Sequence, residues 1–336
     1  MNLEHLPPIV TRPRRLRSSA SIRSVVAETT LEPRHLMAPL FVREGIDTPR
    51  PIPSMPGVVQ QTLASLPQAL AEVGEAGVAS VMIFAIPDKR DEAGSEACNP
   101  GGILHRAVSV AAEAAGPSIV IGADVCLDEF TSHGHCGVLD ESGNVDNDRT
   151  LVHFQKMALG LASAGAGLLG LSGMMDGQVA AVRAALDESG HQNTTIMAYA
   201  AKYASSHYGP FRDAVESTLV GDRKSYQMDW RNRREALREI VLDIEQGADI
   251  VMVKPALSYL DIIRDARNSV SAPIAAYVVS GEFAMIELAA EHGLVDRDAA
   301  IWETLYSVRR AGADIICTYW AIEYAHKMSQ GKGHRD

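Results

Sequence analysis

The sequence is poor in several features that would place it in a specialised class of protein. It has only four cysteines in 336 residues, Cys98, Cys126, Cys136 and Cys317, which are too few for a disulfide-stapled scaffold. No apolar run approaches the roughly 20 residues of a transmembrane helix, and no segment has the pattern of a signal peptide. We therefore expect a protein of a reducing, cytoplasmic compartment that has no membrane partner.

Basic residues are scarce relative to acidic ones. The 31 lysines and arginines face 42 acidic residues, which gives a formal net charge of −11 and argues against nucleic-acid binding as the main role. The one basic cluster, Arg12, Arg14, Arg15 and Arg17, lies near the N-terminus. It is consistent with a phosphate-binding arm or with an arm that docks on an acidic neighbouring subunit.

What the sequence does contain is a repeated alternation of apolar runs and amphipathic segments. Eight apolar runs predict strands, over 37–42, 78–86, 118–125, 167–172, 194–202, 248–254, 273–280 and 313–319. Between them, apolar residues at helical spacing predict helices over 66–76, 149–164, 178–188, 233–246, 259–267 and 299–310. Six glycines, at 77, 116, 165, 190, 247 and 312, are expected to end helices.

The character of these runs predicts the fold class, which is α/β. Continuously apolar strands are typical of a parallel sheet that is covered on both faces, and alternation with helices indicates β/α units. Eight units favour closure into a (βα)8 TIM barrel over an open sheet. We predict an extended N-terminal arm over 1–34, a catalytic barrel over 35–330 and a tail over 331–336.

Two neighbouring apolar runs each end in a lysine. Lys202 ends the fifth run and Lys254 ends the sixth, where a barrel places its active site. Burial and a second nearby ammonium group both favour a neutral, nucleophilic amine. One such lysine alone is often a strand-end side chain that reaches solvent, but two on consecutive strands indicate Schiff-base chemistry on a carbonyl substrate.

Two long connections follow strands on the same face, over 124–148 and 203–231, and long ordered loops are usually functional. The first contains two cysteines, an aspartate and two histidines within a short span. Cys126, Asp128 and Cys136 predict a divalent-metal site; the alternative is that the thiols pack and the histidines bond backbone groups. Mixed thiolate and carboxylate ligands suit zinc, but less tightly than three thiolates.

The second connection carries Arg212 and Arg223, whose guanidinium groups suit carboxylates or phosphates unless they form surface ion pairs. Phe211 is either part of a lid that excludes water or a core residue. Other polar side chains stand at strand ends, where each is a site residue or a helix cap: Asp124, Asp176, Ser280, Glu282 and Tyr319.

With these residues the chain resembles the porphobilinogen synthase (5-aminolevulinate dehydratase) family. The resemblance runs from RPRRLR (12–17) to AGADII (311–316). It is carried by TSHGHCG (131–137), YGPFRDA (208–214), GDRKSYQ (221–227), MVKP (252–255) and VSGEF (279–283).

The resemblance implies an activity: condensation of two 5-aminolevulinate molecules to porphobilinogen with loss of two waters, in tetrapyrrole (heme) biosynthesis. It implies that Lys254 forms the essential Schiff base and that Lys202 binds the other substrate molecule. Asp124 matches an active-site acid. Arg212 and Arg223, with Gln227 nearby, match the contacts to one substrate carboxylate, and Ser280 and Tyr319 match the contacts to the other. A homo-octamer without an organic cofactor is expected.

The metal positions depart from the family pattern. Zinc-dependent members have three cysteines where this chain has Cys126, Asp128 and Cys136, and metal-independent members have aspartates there, so zinc, another ion or none remains open. Gly173 stands where many relatives carry an aspartate. The segment REALRE (234–239) resembles members with an activating magnesium, which makes Glu239 the candidate ligand of an allosteric Mg²⁺ at a subunit contact.

Two rival functions remain open at the level of sequence. A class I aldolase or another lysine-imine lyase on a barrel explains one buried lysine and an arginine clamp, but needs neither the second lysine nor the Cys-Asp-Cys loop. A non-catalytic barrel that serves as a binding scaffold belongs to a different class. Trapping of a lysine adduct with borohydride distinguishes enzyme from scaffold, since a scaffold forms no imine.

Overall fold

The computed structural model describes residues 10–330. The predicted tail, 331–336, and the first nine residues of the predicted arm lie outside the described residues. Within the described part, no helix combines the length and the apolar character that crossing a membrane requires.

Eight parallel strands close into a barrel, which confirms the predicted fold class. The strands of the whole sheet are β1 (Leu36–Arg43), β2 (Arg50–Pro51), β3 (Val59–Gln61), β4 (Ser80–Ile86), β5 (Val120–Val125), β6 (Leu168–Leu171), β7 (Thr195–Lys202), β8 (Ile250–Lys254), β9 (Ile274–Tyr277) and β10 (Ile315–Cys317). The barrel follows the order β1-β4-β5-β6-β7-β8-β9-β10, and β10 pairs back to β1. Seven of the eight predicted runs contain a barrel strand, and the eighth, 37–42, lies within β1.

The short strands β2 and β3 lie outside the barrel and were not predicted. They form an antiparallel pair, and β3 adds to β1 beside the barrel. Segments of two and three residues are too short to show the alternation of apolar and polar residues from which a strand is predicted.

The helices surround the barrel. They are α1 (Ala20–Val25), α2 (Leu66–Glu75), α3 (Ile103–Ala115), α4 (Asn147–Ser163), α5 (Gln178–Glu188), α6 (Gly209–Ala214), α7 (Arg234–Glu245), α8 (Leu260–Ser269), α9 (Ser280–Glu291), α10 (Arg297–Ala311) and α11 (Ala321–Ser329). The six predicted helices correspond to α2, α4, α5, α7, α8 and α10. The six glycines expected after helices all have positive φ, a conformation that costs a side-chain-bearing residue more.

The predicted strand over 273–280 extends well beyond the observed one. The run 273–280 contains β9, which ends at Tyr277, and Ser280 already begins α9. The apolar pattern continues across this boundary because Val278 and Val279 are buried. Periodicity therefore cannot separate the strand from the turn that follows it.

The strands supply the buried core, whereas the described part of the N-terminal segment lies on the surface. Strand β1 has seven buried residues of eight, and the barrel strands β4 to β8 are nearly as enclosed. Residues 10–28 are almost all exposed, including the four arginines of the basic cluster. This segment gains little stability from the barrel of its own chain.

Candidate active site

Lys202 and Lys254 stand opposite each other at the ends of adjacent strands. In the pairing of β7 with β8, the two residues are direct partners. Both are the last residue of their strand, and they are only 5% and 6% exposed. Partnered residues of parallel strands project to the same side of the sheet, so the structure brings the two amines into one enclosure, as predicted.

Aromatic rings surround the amine of Lys254. Its Nζ lies 4.5 Å from the ring centre of Tyr277, 5.0 Å from that of Tyr199, 5.3 Å from that of Phe211 and 5.6 Å from that of Tyr208. Burial, and then the charge of Lys202, lower the pKa of Lys254 to about 8. A substantial fraction of this amine is neutral near neutral pH, which is the form that attacks a carbonyl.

Lys202 is joined to a carboxyl group through Ser172. Its Nζ donates a hydrogen bond of 2.6 Å to the backbone oxygen of Ser172, whose hydroxyl donates to Oδ2 of Asp124 at 2.9 Å. Burial raises the pKa of Asp124 to about 7, although the charge of Lys202 opposes the shift. A carboxyl group with such a pKa can both give and accept a proton near pH 7.

An irregularity in β7 shapes this enclosure. The register between β7 and β8 shifts between Ala198 and Ala201. In a regular strand, residues three positions apart point to opposite faces, yet the ring of Tyr199 lies 5.8 Å from the Nζ of Lys202. The shift therefore places Tyr199 beside the lysines. The sequence alone did not predict this residue as part of the site.

One cavity unites most of the predicted site residues. Its walls include Asp124, Asp128, Lys202, Lys254, Phe211, Arg212, Arg223 and Gln227. Its free volume is only about 30 Å³, comparable with the space of a single water molecule. The connection after β7 covers it, and Phe211 packs edge-on against Phe84 at 5.2 Å. Phe211 therefore both lines the cavity and packs on the core residue Phe84, and its role as a lid residue stays a prediction.

Ser280 and Tyr319 lie beside the same enclosure. The hydroxyl of Ser280 accepts a 2.8 Å hydrogen bond from the backbone N–H of Phe211. The hydroxyl of Tyr319 lies 3.1 Å from that of Tyr277, whose ring faces the Lys254 amine. Ser280 is therefore bonded to the connection after β7, and Tyr319 to an aromatic neighbour of Lys254.

Cys126, Asp128 and Cys136 form a compact cluster. Their ligand atoms lie within 4.8 Å of one another, and all three residues are buried. Burial raises the pKa of Cys126 well above its usual value. At Cys136, burial is outweighed by the hydrogen bond from Cys126 and the charge of Arg223, which together lower the pKa to about 7. The three side chains fit a divalent ion with an open coordination position.

The two histidines of this loop bond elsewhere. The ring of His133 lies 3.2 Å from the backbone oxygen of Glu92, and Nδ1 of His135 lies 3.0 Å from the hydroxyl of Tyr226. Neither belongs to a metal-ligand cluster among the described residues. Of the five candidate ligands in the loop, the structure brings together the two thiols and the aspartate.

Glu129 is a site residue that the sequence did not single out. It is 2% exposed, lines the lysine cavity, and its Oε1 has no hydrogen-bond partner within residues 10–330. Burial, and then the charge of Asp128, raise its pKa well above the usual value. The sequence offered one sign of this site residue, because Glu129 directly follows Asp128, a predicted metal ligand.

Glu239 lies apart from the lysines, in the wall of a second cavity of about 420 Å³. Asp176, which the sequence placed at a strand end on the catalytic face, lines this cavity and not that of the lysines. Burial and the charge of Asp176 raise the pKa of Glu239. Gln227 lines both cavities, so the two sites share one wall.

Sequence comparison identifies the family. A family model described as "Delta-aminolevulinic acid dehydratase" matches residues 10–327. The chain belongs to the delta-aminolevulinic acid dehydratase family. The dehydratase of this name from Mycobacterium tuberculosis is 54% identical over 316 residues, which cover 94% of this chain and 96% of that protein. The one from Escherichia coli is 48% identical over 319 residues, 95% of this chain and 98% of that protein.

Structural comparison agrees with this assignment. The crystal structure of the dehydratase family member from Toxoplasma gondii, solved in complex with the reaction product porphobilinogen, matches with a TM-score of 0.93 at 44% identity. The match covers 96% of this chain and 93% of that one. The family resemblance found in the sequence motifs is thereby confirmed.

Proposed function

We propose that this chain is a porphobilinogen synthase that condenses two molecules of 5-aminolevulinate through Schiff bases on Lys254 and Lys202. The observation that carries the proposal is the in-register pair of buried lysines in one cavity. The family membership and the product found in the Toxoplasma relative support it. The reaction, a hydro-lyase step of tetrapyrrole and heme synthesis, needs no organic cofactor.

The chemistry follows from the substrate's three functional groups, a ketone, an amine and a carboxylate. A neutral lysine adds to the ketone, and the resulting imine forms with loss of one water. Burial keeps part of Lys254 neutral, and Asp124 supplies and accepts protons because its pKa lies near 7. The two substrates become joined by two bonds, with the loss of two waters in total. Each water leaves as one lysine forms an imine with one substrate, which accounts for two lysines in one cavity.

Polar groups around the cavity would hold the substrate carboxylates. Arg212 and Arg223, with Gln227, are assigned to one carboxylate, for which a guanidinium fork is well suited. Ser280 and Tyr319 are assigned to the other. The hydroxyl of Ser280 bonds the backbone of Phe211, so its contact with a carboxylate couples substrate binding to the lid.

The Cys126–Asp128–Cys136 cluster would hold a divalent ion, and zinc is the ion that its two thiolates favour. Such an ion supplies Lewis-acid polarisation of a substrate oxygen or amine. Asp128 would be one ligand of this ion, and it also accepts a hydrogen bond of 2.9 Å from Arg223. The cluster touches the lysine cavity through Asp128.

Glu239 is proposed to hold an allosteric Mg²⁺, since magnesium keeps most of its waters and needs few carboxylates. The neighbouring Asp176 and Glu235 line the same cavity and add negative charge. Glu239→Gln should abolish activation by magnesium while the magnesium-free rate is kept. Glu245→Gln, on the exposed end of the same helix, is the matched control, and loss of activation in both variants contradicts the assignment.

We further propose a homo-octamer in the cytoplasm, with residues 1–34 as the arm that contacts other subunits and 35–330 as the catalytic barrel. The described part of the arm exposes Ile22 and Val25, apolar side chains that a partner surface would cover. Deletion of residues 1–34 should lower the number of subunits per particle, obtained by dividing the mass from light scattering by the mass of the shortened chain. An unchanged number of subunits would rule out this role for the arm.

The function is tested by turnover of 5-aminolevulinate into a pyrrole, measured on metal-free, zinc-loaded and magnesium-loaded protein. Borohydride added with substrate should leave a reduced adduct on the tryptic peptide that contains Lys254. A folded protein that forms neither pyrrole nor adduct is a scaffold. An adduct without pyrrole indicates a different lysine-imine lyase.

A further inference from the structure

Glu282 is an acidic side chain that is fully buried near the start of α9. Its Oε2 accepts hydrogen bonds from the backbone N–H groups of Val279 at 2.9 Å and Ala256 at 3.4 Å. Its Oε1 accepts one from Leu257 at 2.7 Å. A buried carboxylate is costly unless hydrogen bonds compensate it, and here three backbone donors from two segments do so.

Helix capping alone does not explain this arrangement. A residue in the first turn of a helix commonly bonds the N–H of the capping residue, which the contact with Val279 provides. The contacts with Ala256 and Leu257 reach a separate segment, 26 and 25 residues earlier in the chain. Oε2 thus bonds both segments and Oε1 bonds the earlier one, so the side chain joins two β/α connections.

Both connected segments lead to residues of the active site. Leu257 lies three positions after Lys254 in the turn that follows β8. Val279 directly precedes Ser280, the first residue of α9. The carboxylate of Glu282 therefore sets the distance between the strand end that carries the Schiff-base lysine and the segment that carries a proposed substrate contact.

The second segment also holds the lid. Ser280 accepts the hydrogen bond from the backbone of Phe211, whose ring lies 5.3 Å from the Nζ of Lys254. The start of α9 is pressed against the lid connection, because a Cβ added to Gly281 would lie 2.5 Å from the carbonyl oxygen of His207. A continuous set of contacts therefore runs from Lys254 and the turn after β8, through Glu282, to the start of α9 and Phe211.

We propose that Glu282 is a positioning residue for the imine chemistry of Lys254, which it aligns with Ser280 and the lid by tying two backbone segments together. The inference rests on the proposed function, because it assigns Glu282 a part in that reaction. Glu282 does not line the lysine cavity and acts through the backbone. A small displacement of a reacting group is enough to slow a reaction strongly.

Glu282→Gln is the informative variant. The amide offers one acceptor oxygen and two N–H donors, so either Leu257, or both Val279 and Ala256, lose the acceptor of their N–H groups. We expect the rate of borohydride-trapped adduct formation at Lys254 with saturating 5-aminolevulinate to fall by about tenfold or more. The apparent kcat should fall in parallel, with a smaller change in KM.

The matched control is Asp296→Ala. Asp296 is exposed and caps the neighbouring helix α10 through a 2.8 Å bond from the N–H of Ala299. Its removal should lower Tm without a change in the adduct rate at Lys254. If Glu282→Gln does not fold, Glu282→Asp, which keeps the charge but shortens the reach, serves for the same comparison.

The outcomes separate the inference from the function on which it rests. Wild-type rates of adduct formation in the folded Glu282 variants overturn the positioning role and leave the proposed function intact. An equal loss in Asp296→Ala at a matched Tm also overturns it, because general destabilisation then explains the effect. Absence of an adduct in the wild-type protein overturns the proposed function, and the positioning role with it.

Discussion

Arg223 and Asp128 form a buried ion pair between the two long connections of the barrel. Nη2 of Arg223 donates a hydrogen bond of 2.9 Å to Oδ2 of Asp128, and the side chains are 11% and 6% exposed. Burial opposes ionisation of Asp128, but the charge of Arg223 holds its pKa well below the usual range. A proposed substrate contact and a candidate metal ligand are thus directly joined.

Asp128, one partner of this ion pair, is also a candidate metal ligand, so its replacement should change the affinity for zinc. Asp128→Cys should increase zinc affinity, because three thiolates bind zinc more tightly than two with a carboxylate. Cys136→Ala should abolish binding. Calorimetric titration of reduced protein with zinc measures both effects, and Cys98→Ser, which alters a thiol outside the cluster, is the control. Equal zinc binding by wild type and Cys136→Ala would show that the two thiols are structural only.

Removal of Lys202 should separate a two-substrate synthase from an enzyme with a single imine site. Lys202→Met keeps a side chain of similar length in the enclosure but removes the second amine, so pyrrole formation should fall by several orders of magnitude. The adduct at Lys254 should persist. Lys156→Met, on the exposed face of α4, is the matched control. Pyrrole formation close to the wild-type rate would show that a single imine-forming lysine is sufficient.

Imine formation at Lys254 should depend on pH with a defined sign. Because its pKa is about 8, the ammonium form dominates below that pH, and the neutral fraction falls about tenfold for each pH unit further down. The trapping rate should therefore rise with pH and level off above about pH 8. A trapping rate that keeps rising about tenfold for each pH unit up to about pH 10 would contradict a lowered pKa.

The same measurement on Lys202→Met tests the cause of the shift. The charge of Lys202 contributes to lowering the pKa of Lys254, after burial. Without that charge the pKa of Lys254 should rise, and the midpoint of the trapping profile should move to higher pH. An unchanged midpoint would assign the whole effect to burial.

Gly173 should be intolerant of a side chain. A Cβ at this position would lie 2.3 Å from the ring of Phe154, which is fully buried. Gly173→Ala should destabilise the protein by about 1–3 kcal/mol through overpacking, measured by denaturant unfolding. Gly167→Ala, whose nearest neighbour would be 3.8 Å away, is the control. A smaller cost of Gly173→Ala in a Phe154→Leu background would confirm the contact.

Much of the architecture could be predicted because it depends on local patterns. Continuous apolar runs identify buried parallel strands, and those runs located all eight barrel strands. The lysines were found by position, since each is a charged residue at the end of such a run. The prediction for 273–280 was too long because buried valines continue beyond β9, where apolarity and strand geometry no longer coincide.

Other parts of the site depended on contacts between distant segments. The aromatic residues around Lys254 come from β7, β9 and the connection after β7, and no local pattern marks them. The register shift that turns Tyr199 towards the lysines leaves no sign in the composition of the strand. His133 and His135 shared the loop with the candidate ligands, but their partners lie in other segments.

The sequence by itself determined a closed parallel barrel with two lysines at its catalytic end, because the burial of the strands, their number and their alternation with helices follow from the apolar pattern along the chain. Only the tertiary structure decided the chemistry of those lysines. The pKa of Lys254 depends on how completely water is removed and on how near a second charge lies. Both are set by groups brought together across the barrel, far apart in the chain.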